Sequence, residues 1–371
     1  MLNTKPRILD FLVLLHYKKT LKGMMTCDDA VLERLVLHRV GNKANNESLH
    51  LSKAPYVLNS DISGVLLKYF TTPFKGSQYY VFSDERGFNN NKVYTAVKKI
   101  FENPSEDLYS ASCDIAKHLF DVSLHPNIKA GELYVTYLQN CYLDGDIVDA
   151  VGIFKSETRQ TYIKIYPDQD DFSIQSDEGI DINKLDKGCI VFNKEEQDGY
   201  VVSIVDTISR GNEAVYWVDE FLNLMQRQDS YFKTDNMLNV CRNFVTEYLP
   251  QEYEMTRMDQ ADLLNRNQEF FKENKNFDTD SYSDKVFGDD EFKQQFIKFK
   301  QQYEDENGMQ LTDNFVMSDE ALKRASRYLR SVIKLDKNFT IYIHGKREMV
   351  ETGEDEEKGL RYYKFYFNKE S

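Results

Sequence analysis

The stretch that decides the fold is Gly131 to Ile165, GELYVTYLQNCYLDGDIVDAVGIFKSETRQTYIKI. At its start, apolar and aromatic residues alternate with a period of two, which places one set on each face of a sheet. Asp144-Gly145 provides a hairpin turn, because Gly adopts a positive φ without strain. Two further segments, Ile147–Phe154 and Thr161–Tyr166, have the same β-branched and aromatic composition. The stretch therefore predicts three consecutive antiparallel strands, a meander against which helices on either side pack.

Length and composition indicate a folded protein of more than one unit. A chain of 371 residues exceeds one ordinary core, and 24 Phe and 24 Tyr provide ample apolar surface to bury. The five cysteines form no CxxC pair and are odd in number, so we expect reduced, buried thiols in a reducing compartment, the cytoplasm. Neither a cofactor nor a metal is predicted.

The first 26 residues are treated as a leader of uncertain status. Ile8–Leu15 is apolar, but Asp10 interrupts it, no small-residue cleavage site follows, and eight residues are too short to span a bilayer. We expect no export and no membrane association. One interpretation is that Met24 or Met25 is the true translation start.

The periodicity of the remaining chain predicts an α+β fold in two domains. An N-terminal domain, residues 27–210, carries the central antiparallel sheet flanked by helices. A C-terminal domain, residues 211–371, is mostly helical and ends in a helix over 318–335 and a β-hairpin over 339–367. The polar segment Asn274–Ser283 reads as a linker within it.

Most enzyme signatures are absent: the sequence has no P-loop, no GxGxxG after a strand, no HExxH and no GxSxG. The six histidines are not spaced as metal ligands, and we interpret them as structural. Asp144, Asp146 and Asp149 leave one catalytic alternative open, a hard-cation site for phosphodiester chemistry. Their spacing does not match a nuclease pattern, and a solvated turn is the simpler interpretation.

Charge is distributed unevenly along the chain. The net charge is −14, yet residues 318–347 carry eight Lys or Arg against three Asp or Glu. Within the predicted last helix, SDEALKRASRYLRSVIKL, four cations follow at i, i+4, i+7 and i+11, which places them in one row on a helix. The row and the cations beside it form the candidate DNA-binding set: Lys323, Arg324, Arg327, Arg330, Lys334, Lys346 and Arg347.

Such a row has two interpretations. It can contact successive phosphates of a duplex, with the release of counterions and a strong salt dependence. It can also be an ordinary solvated helix face, whose last-turn cations the helix dipole favours. No base-reading motif accompanies the row, so any DNA binding should be largely indifferent to sequence.

The chain resembles the bacterial nucleoid-associated protein family of the NdpA/YejK type. The resemblance runs in order from Leu32 to the C-terminus. Four segments carry it: GELYVTYLQNCYLDGDIVDAVGIFK, GIDINKLDKGCIVFN, YVVSIVDTISRGNEAVYWVDEFL and SDEALKRASRYLRSVIKLDKNFTIYIHGK. It implies association with the bacterial chromosome and no enzymatic activity.

These observations together predict a cytoplasmic, nucleoid-located, non-enzymatic protein that binds double-stranded DNA, or protein complexes on DNA, with little sequence preference. The expected partners are DNA and proteins of DNA replication or topology control. Two alternatives stay open: an adaptor that reaches the nucleoid through another protein without contacting DNA, and a metal-dependent nuclease. The oligomeric state is also open, with a homo-oligomer as one alternative.

Overall fold

A computed structural model describes residues 25–74, 78–168, 171–207, 216–325, 332–342 and 349–369. The fold is mixed α+β, as predicted, and the chain divides into two compact units, residues 1–227 and 228–371. The predicted boundary at residues 210 and 211 therefore lies inside the first unit. Among the described helices, none has the length and apolar character needed to cross a membrane.

The described part of the first unit contains ten strands and three α-helices. The strands are β1 (Met25–Thr26), β2 (Val31–Val40), β3 (Tyr80–Phe82), β4 (Gly131–Leu143), β5 (Asp146–Ser156), β6 (Gln160–Asp168), β7 (Asp171–Gly179), β8 (Lys187–Phe192), β9 (Val201–Asp206) and β10 (Leu224–Gln226). The helices are α1 (Ser60–Thr71), α2 (Lys92–Glu102) and α3 (Pro104–Val122), and a π-helix spans Tyr216–Leu222.

Eight of these strands form one curled antiparallel sheet in the order β1-β4-β5-β8-β9-β3-β10, with β2 also paired to β4. The β4–β5 hairpin turns at Asp144 and Gly145, whose φ angles are 52° and 92°. Two consecutive positive φ angles match the twist of the flanking strands, so the predicted turn is confirmed.

The third strand of the predicted meander is not in this sheet. β6 pairs only with β7, in register from Gln160↔Gly179 to Asp168↔Asp171, and β8 takes the place beside β5. The aspartate-rich sequence of the segment 167–178 predicts an acidic loop, but its described residues, 167–168 and 171–178, are strand. Alternation with a period of two predicts a strand, but it does not show which strand is its partner. A strand in a separate hairpin and a strand at the edge of a larger sheet can carry similar residues on their two faces.

Helices cover both faces of the large sheet, which explains why its central strands are apolar throughout. Leu133 and Val135 of β4 pack in one buried cluster with residues of α2 and α3. Tyr134 and Leu138 point to the other face and pack in a second cluster with Phe70 of α1. The expectation that helices pack against this stretch from either side is confirmed.

The second unit is mostly helical in its described part. Its helices are α4 (Ser230–Asn243), a π-helical segment (Phe244–Tyr248), α5 (Leu249–Glu252), α6 (Arg257–Glu273), α7 (Thr279–Val286), α8 (Asp290–Asn307) and α9 (Asp319–Ala325). Three two-stranded sheets accompany them: β11 (Asn276–Asp278) with β12 (Asn314–Val316), β13 (Val332–Leu335) with β14 (Phe339–Tyr342), and β15 (Val350–Asp355) with β16 (Leu360–Phe365).

Three predictions for this unit are wrong. The supposed linker 274–283 contributes β11 and part of α7, and its Phe277 and Tyr282 are fully buried in the aromatic core. The helix predicted over 318–335 does not extend to residue 335, because Val332–Leu335 form a strand; the described helix α9 spans Asp319–Ala325. The predicted hairpin over 339–367 is likewise replaced by the two hairpins β13–β14 and β15–β16.

Candidate nucleic-acid interface

The first cations of the candidate set lie at the C-terminal end of α9. Ser318 begins this helix, since its Oγ accepts the Ala321 N–H at 3.4 Å and its carbonyl oxygen accepts the Leu322 N–H at 3.1 Å. Ala321 and Ala325 are buried, so the side chains of Lys323 and Arg324 remain on the exposed part of the helix. The helix dipole favours cations at this end.

Arg324 is oriented by the second unit's own core. Its Nη1 donates a hydrogen bond to the hydroxyl of Tyr231, on α4, at 2.8 Å. The contact holds the side chain in place and reduces the entropy it would lose on binding a polyanion.

Lys334 is exposed, but not on the predicted helix. It lies on β13 opposite Thr340 of β14, three residues before Lys337 in the hairpin turn. The i, i+4, i+7, i+11 row therefore does not exist as one helical ridge, because its last member belongs to a strand. Arg327, Arg330, Lys346 and Arg347 lie outside the described residues, and no geometry is assigned to them.

The carboxylates of the nuclease alternative do not converge on a metal site. Asp144 pairs with Arg227 at 3.4 Å, and Asp146 pairs with Lys194 at 3.0 Å. Asp149 accepts a hydrogen bond from the Tyr137 hydroxyl at 2.7 Å. Within the described ranges, no three His, Cys, Asp or Glu side chains are grouped so that they could hold a metal ion.

A cleft lined with lysines, which the sequence did not single out, lies between α2 and α3 of the first unit. Its volume is about 360 Å³, and Lys92, Lys99 and Lys117 line it. The signal that could have found it is the i, i+7 spacing of Lys92 and Lys99, which puts both on one face of α2. The packing of α3 beside α2 adds Lys117, and that pairing is not evident from local sequence.

The fold and these exposed cations define a two-unit α+β protein with cationic positions in both units. The chain belongs to the family of nucleoid-associated protein YejK, whose family model matches residues 36–358. This finding confirms the resemblance stated from the sequence. A search of curated proteins found no match to the chain.

Proposed function

We propose that this protein binds double-stranded DNA of the bacterial nucleoid directly, without enzymatic action and with little preference for sequence. The single observation that carries the proposal is the match of residues 36–358 to the nucleoid-associated family. The proposed location is the cytoplasm, at the nucleoid.

The proposed contacts are cations near the C-terminus. Lys323 and Lys334 are exposed, and the guanidinium of Arg324 is held by the hydroxyl of Tyr231. Arg327, Arg330, Lys346 and Arg347 lie outside the described residues, and we include them among the proposed contacts on their sequence alone. Phosphate contacts of this kind read no bases, which is why the proposed binding is tolerant of sequence.

A salt-dependent binding titration tests this function. Fluorescence anisotropy with a labelled 30-base-pair duplex, repeated from low to moderate salt, gives the slope of log affinity against log salt concentration. Each neutralised phosphate contributes about −0.9 to that slope. Replacing Arg327 and Arg330 with Glu should reduce the steepness by about two and weaken binding strongly at every salt concentration.

A matched control separates local contact from net charge. Lys272 and Lys298 are exposed cations on α6 and α8, and reversing both to Glu changes the net charge by the same amount. The control should bind nearly as well as the unmodified protein. Equal losses in the two double variants would reject the C-terminal contact surface.

The two alternatives have their own outcomes. No binding to duplex even at low salt would leave only the adaptor that reaches DNA through another protein. Cleavage of plasmid DNA in the presence of magnesium or manganese would support the nuclease, an outcome not expected since Asp144 and Asp146 are already engaged by cations.

A further inference from the structure

The cleft between α2 and α3 has more positive charge than its own carboxylates neutralise. Asp121 is bound to Lys43 at 2.5 Å, and Asp114 pairs with Lys117 at 3.5 Å. No carboxylate of the described residues pairs with Lys92 or Lys99, which line the same cleft from one face of α2. Lys92 and Lys99 thus face the cleft without a direct ion pair among the described residues, although Lys43 and also Lys92 are close enough to Asp121 to lower the pKa of that carboxyl. The three lysines of the lining outnumber its two carboxylates, Asp114 and Asp121.

Three further acidic residues of the two helices lie away from the cleft lining. Glu102, Glu106 and Asp107 are at the junction where α2 ends and α3 begins. Lys92 and Lys117 lie at the opposite end of this helical pair, where α2 begins and α3 approaches its C-terminus.

His118 supplies a second observation in the same cleft. Its Nε2 lies 3.1 Å from the carbonyl oxygen of Phe221, and a carbonyl only accepts, so Nε2 carries the proton and donates it. Its Nδ1 is buried and has no hydrogen-bond partner in the described structure. Buried polar atoms are rarely left without a partner, so this nitrogen points to a missing one.

We propose that this cleft is a phosphate-binding site, in which Lys92, Lys99 and Lys117 hold the oxyanion and His118 completes its hydrogen bonds. Because Nε2 already donates to Phe221, a proton taken up with the anion resides on Nδ1 and makes it a donor to a phosphate oxygen. Lys92 and Asp121 are the charged groups that act on the ring, and the anion offsets the charge of Lys92. The phosphate belongs either to the DNA backbone or to a free nucleotide.

The DNA source rests on the proposed function and deepens it, since it gives the first unit a backbone contact of its own. The nucleotide source does not depend on that function. Three compact ammonium groups around an open cleft of this size suit a tetrahedral oxyanion with several acceptor oxygens. A cationic ligand would be repelled by the same lysines.

The test uses the full-length chain and two probes, a labelled 20-base-pair duplex and ATP. The cleft variant replaces Lys92 and Lys99 with Glu. Its control replaces Lys53 and Lys68, two exposed lysines of the same unit, with Glu. All four side chains are exposed, so both variants should fold, and circular dichroism checks this. A site-specific readout is the ring signal of His118 in ¹⁵N–¹H NMR spectra, assigned with His118→Gln.

We expect at least one probe to shift the His118 signal in the unmodified protein and in the control, and neither probe to shift it in the cleft variant. If the source is DNA, the cleft variant should bind duplex about tenfold more weakly than the control. A shift with ATP alone assigns the site to a free nucleotide.

Failure of this inference is distinguishable from failure of the proposed function. Duplex binding that the cleft variant leaves unchanged, with a His118 signal that neither probe moves, overturns the cleft and leaves the C-terminal contact surface standing. Absence of duplex binding by the unmodified protein overturns the proposed function. In that case the response of His118 to ATP still decides the cleft, since a shift supports it and no shift refutes it.

Discussion

His38 should make the stability of the first unit strongly dependent on pH below neutrality. The side chain is 2% exposed on β2. Its Nδ1 accepts the Ser52 N–H at 3.2 Å, so the proton of the neutral ring is on Nε2, which donates to Ser112 Oγ at 3.0 Å. The Ser112 hydroxyl in turn donates to the Tyr109 carbonyl oxygen at 2.7 Å. All three of these hydrogen bonds can form when the imidazole of His38 is neutral.

Protonation would put a second N–H on Nδ1, directly facing the N–H of Ser52, in a buried site. Burial lowers the pKa of His38 to about 4, from an unperturbed value of about 6.5. The folded state therefore binds fewer protons than the unfolded state between these two pH values, and stability falls as the pH falls through this window. From pH 7.5 to pH 4.5 the expected loss from this one residue is about 2.5 kcal/mol of unfolding free energy.

Urea titrations at the two pH values measure this loss. Trp217 is the sole tryptophan and is fully buried in the core of the first unit, so its fluorescence reports the unfolding of that unit. His38→Gln cannot titrate, and its loss between pH 7.5 and pH 4.5 should be smaller than that of the unmodified protein by about 2.5 kcal/mol. His50→Asn, at an exposed position, should keep the full loss. A His38→Gln variant whose stability falls with pH as steeply as that of the unmodified protein would refute the reasoning.

Two further predictions concern buried groups of the first unit. Glu157→Gln should lower the free energy of unfolding, measured with urea, by about 3–5 kcal/mol. The reason is that the ammonium of Lys155, which is 1% exposed and 2.8 Å from Glu157 Oε1, loses its counter-charge. A decrease below about 1 kcal/mol, the value typical of an exposed ion pair, would contradict this prediction. Cys27 and Cys141, whose buried Sγ atoms are 3.7 Å apart, should be the pair that joins when diamide accepts two electrons and two protons from the thiols. Peptide mapping by mass spectrometry checks the pairing, and crosslinks among the other cysteines instead would contradict it.

Local signals predicted those parts of the fold that local chemistry determines. Asn59 begins α1 by accepting the Ile62 N–H at 2.9 Å, as its place before an apolar helix predicts. Asp144-Gly145 makes the expected turn. All five cysteines are free and buried, as their spacing indicated. For the helix start and the turn, the residues that produce the structure are neighbours in the chain.

Strand pairing and burial depend on distant residues, and there the sequence was insufficient. The composition of Leu32–Val40 and Ser48–Ser52, on either side of a polar turn, predicts that these two segments pair as strands. Instead, β2 pairs along its length with β4, and a single described β-bridge, between Arg39 and His50, links β2 to the second segment. The segment 274–283 is polar on average, which favours a linker even though it contains Phe277. The ring of Phe277 stacks on Phe315, which lies 38 residues later in the chain on the paired strand β12. A single aromatic in a polar stretch indicates burial only once its partner is known.

For the candidate DNA-binding residues, local sequence predicts the exposure of the side chains but not the secondary structure that carries them. Exposure of Lys323 and Lys334 followed from composition, since cations in an amphipathic segment seldom enter a core. The predicted helical row that joined them is wrong, because Lys334 lies on a strand. Val332 and Ile333 in that strand are β-branched, and they precede a turn at Asp336, whose φ is 52°. Those residues favour a strand and a tight turn. The helical spacing of the cations extends across them and predicts a helix there instead.

A net charge of −14 does not exclude DNA binding. Dissolved salt screens long-range electrostatic interactions, so a DNA phosphate interacts mainly with the protein charges that lie close to it. At about 0.15 M salt the Debye length is about 8 Å, so cations in contact act at full strength while acidic residues farther away are largely screened. At about 0.01 M it reaches about 30 Å, and the acidic residues between 131 and 317 would then repel the duplex as well. Affinity should accordingly rise less steeply at the lowest salt concentrations than counterion release alone requires. An affinity that instead follows one straight line to the lowest salt concentration would mean that the acidic residues lie far from the bound duplex.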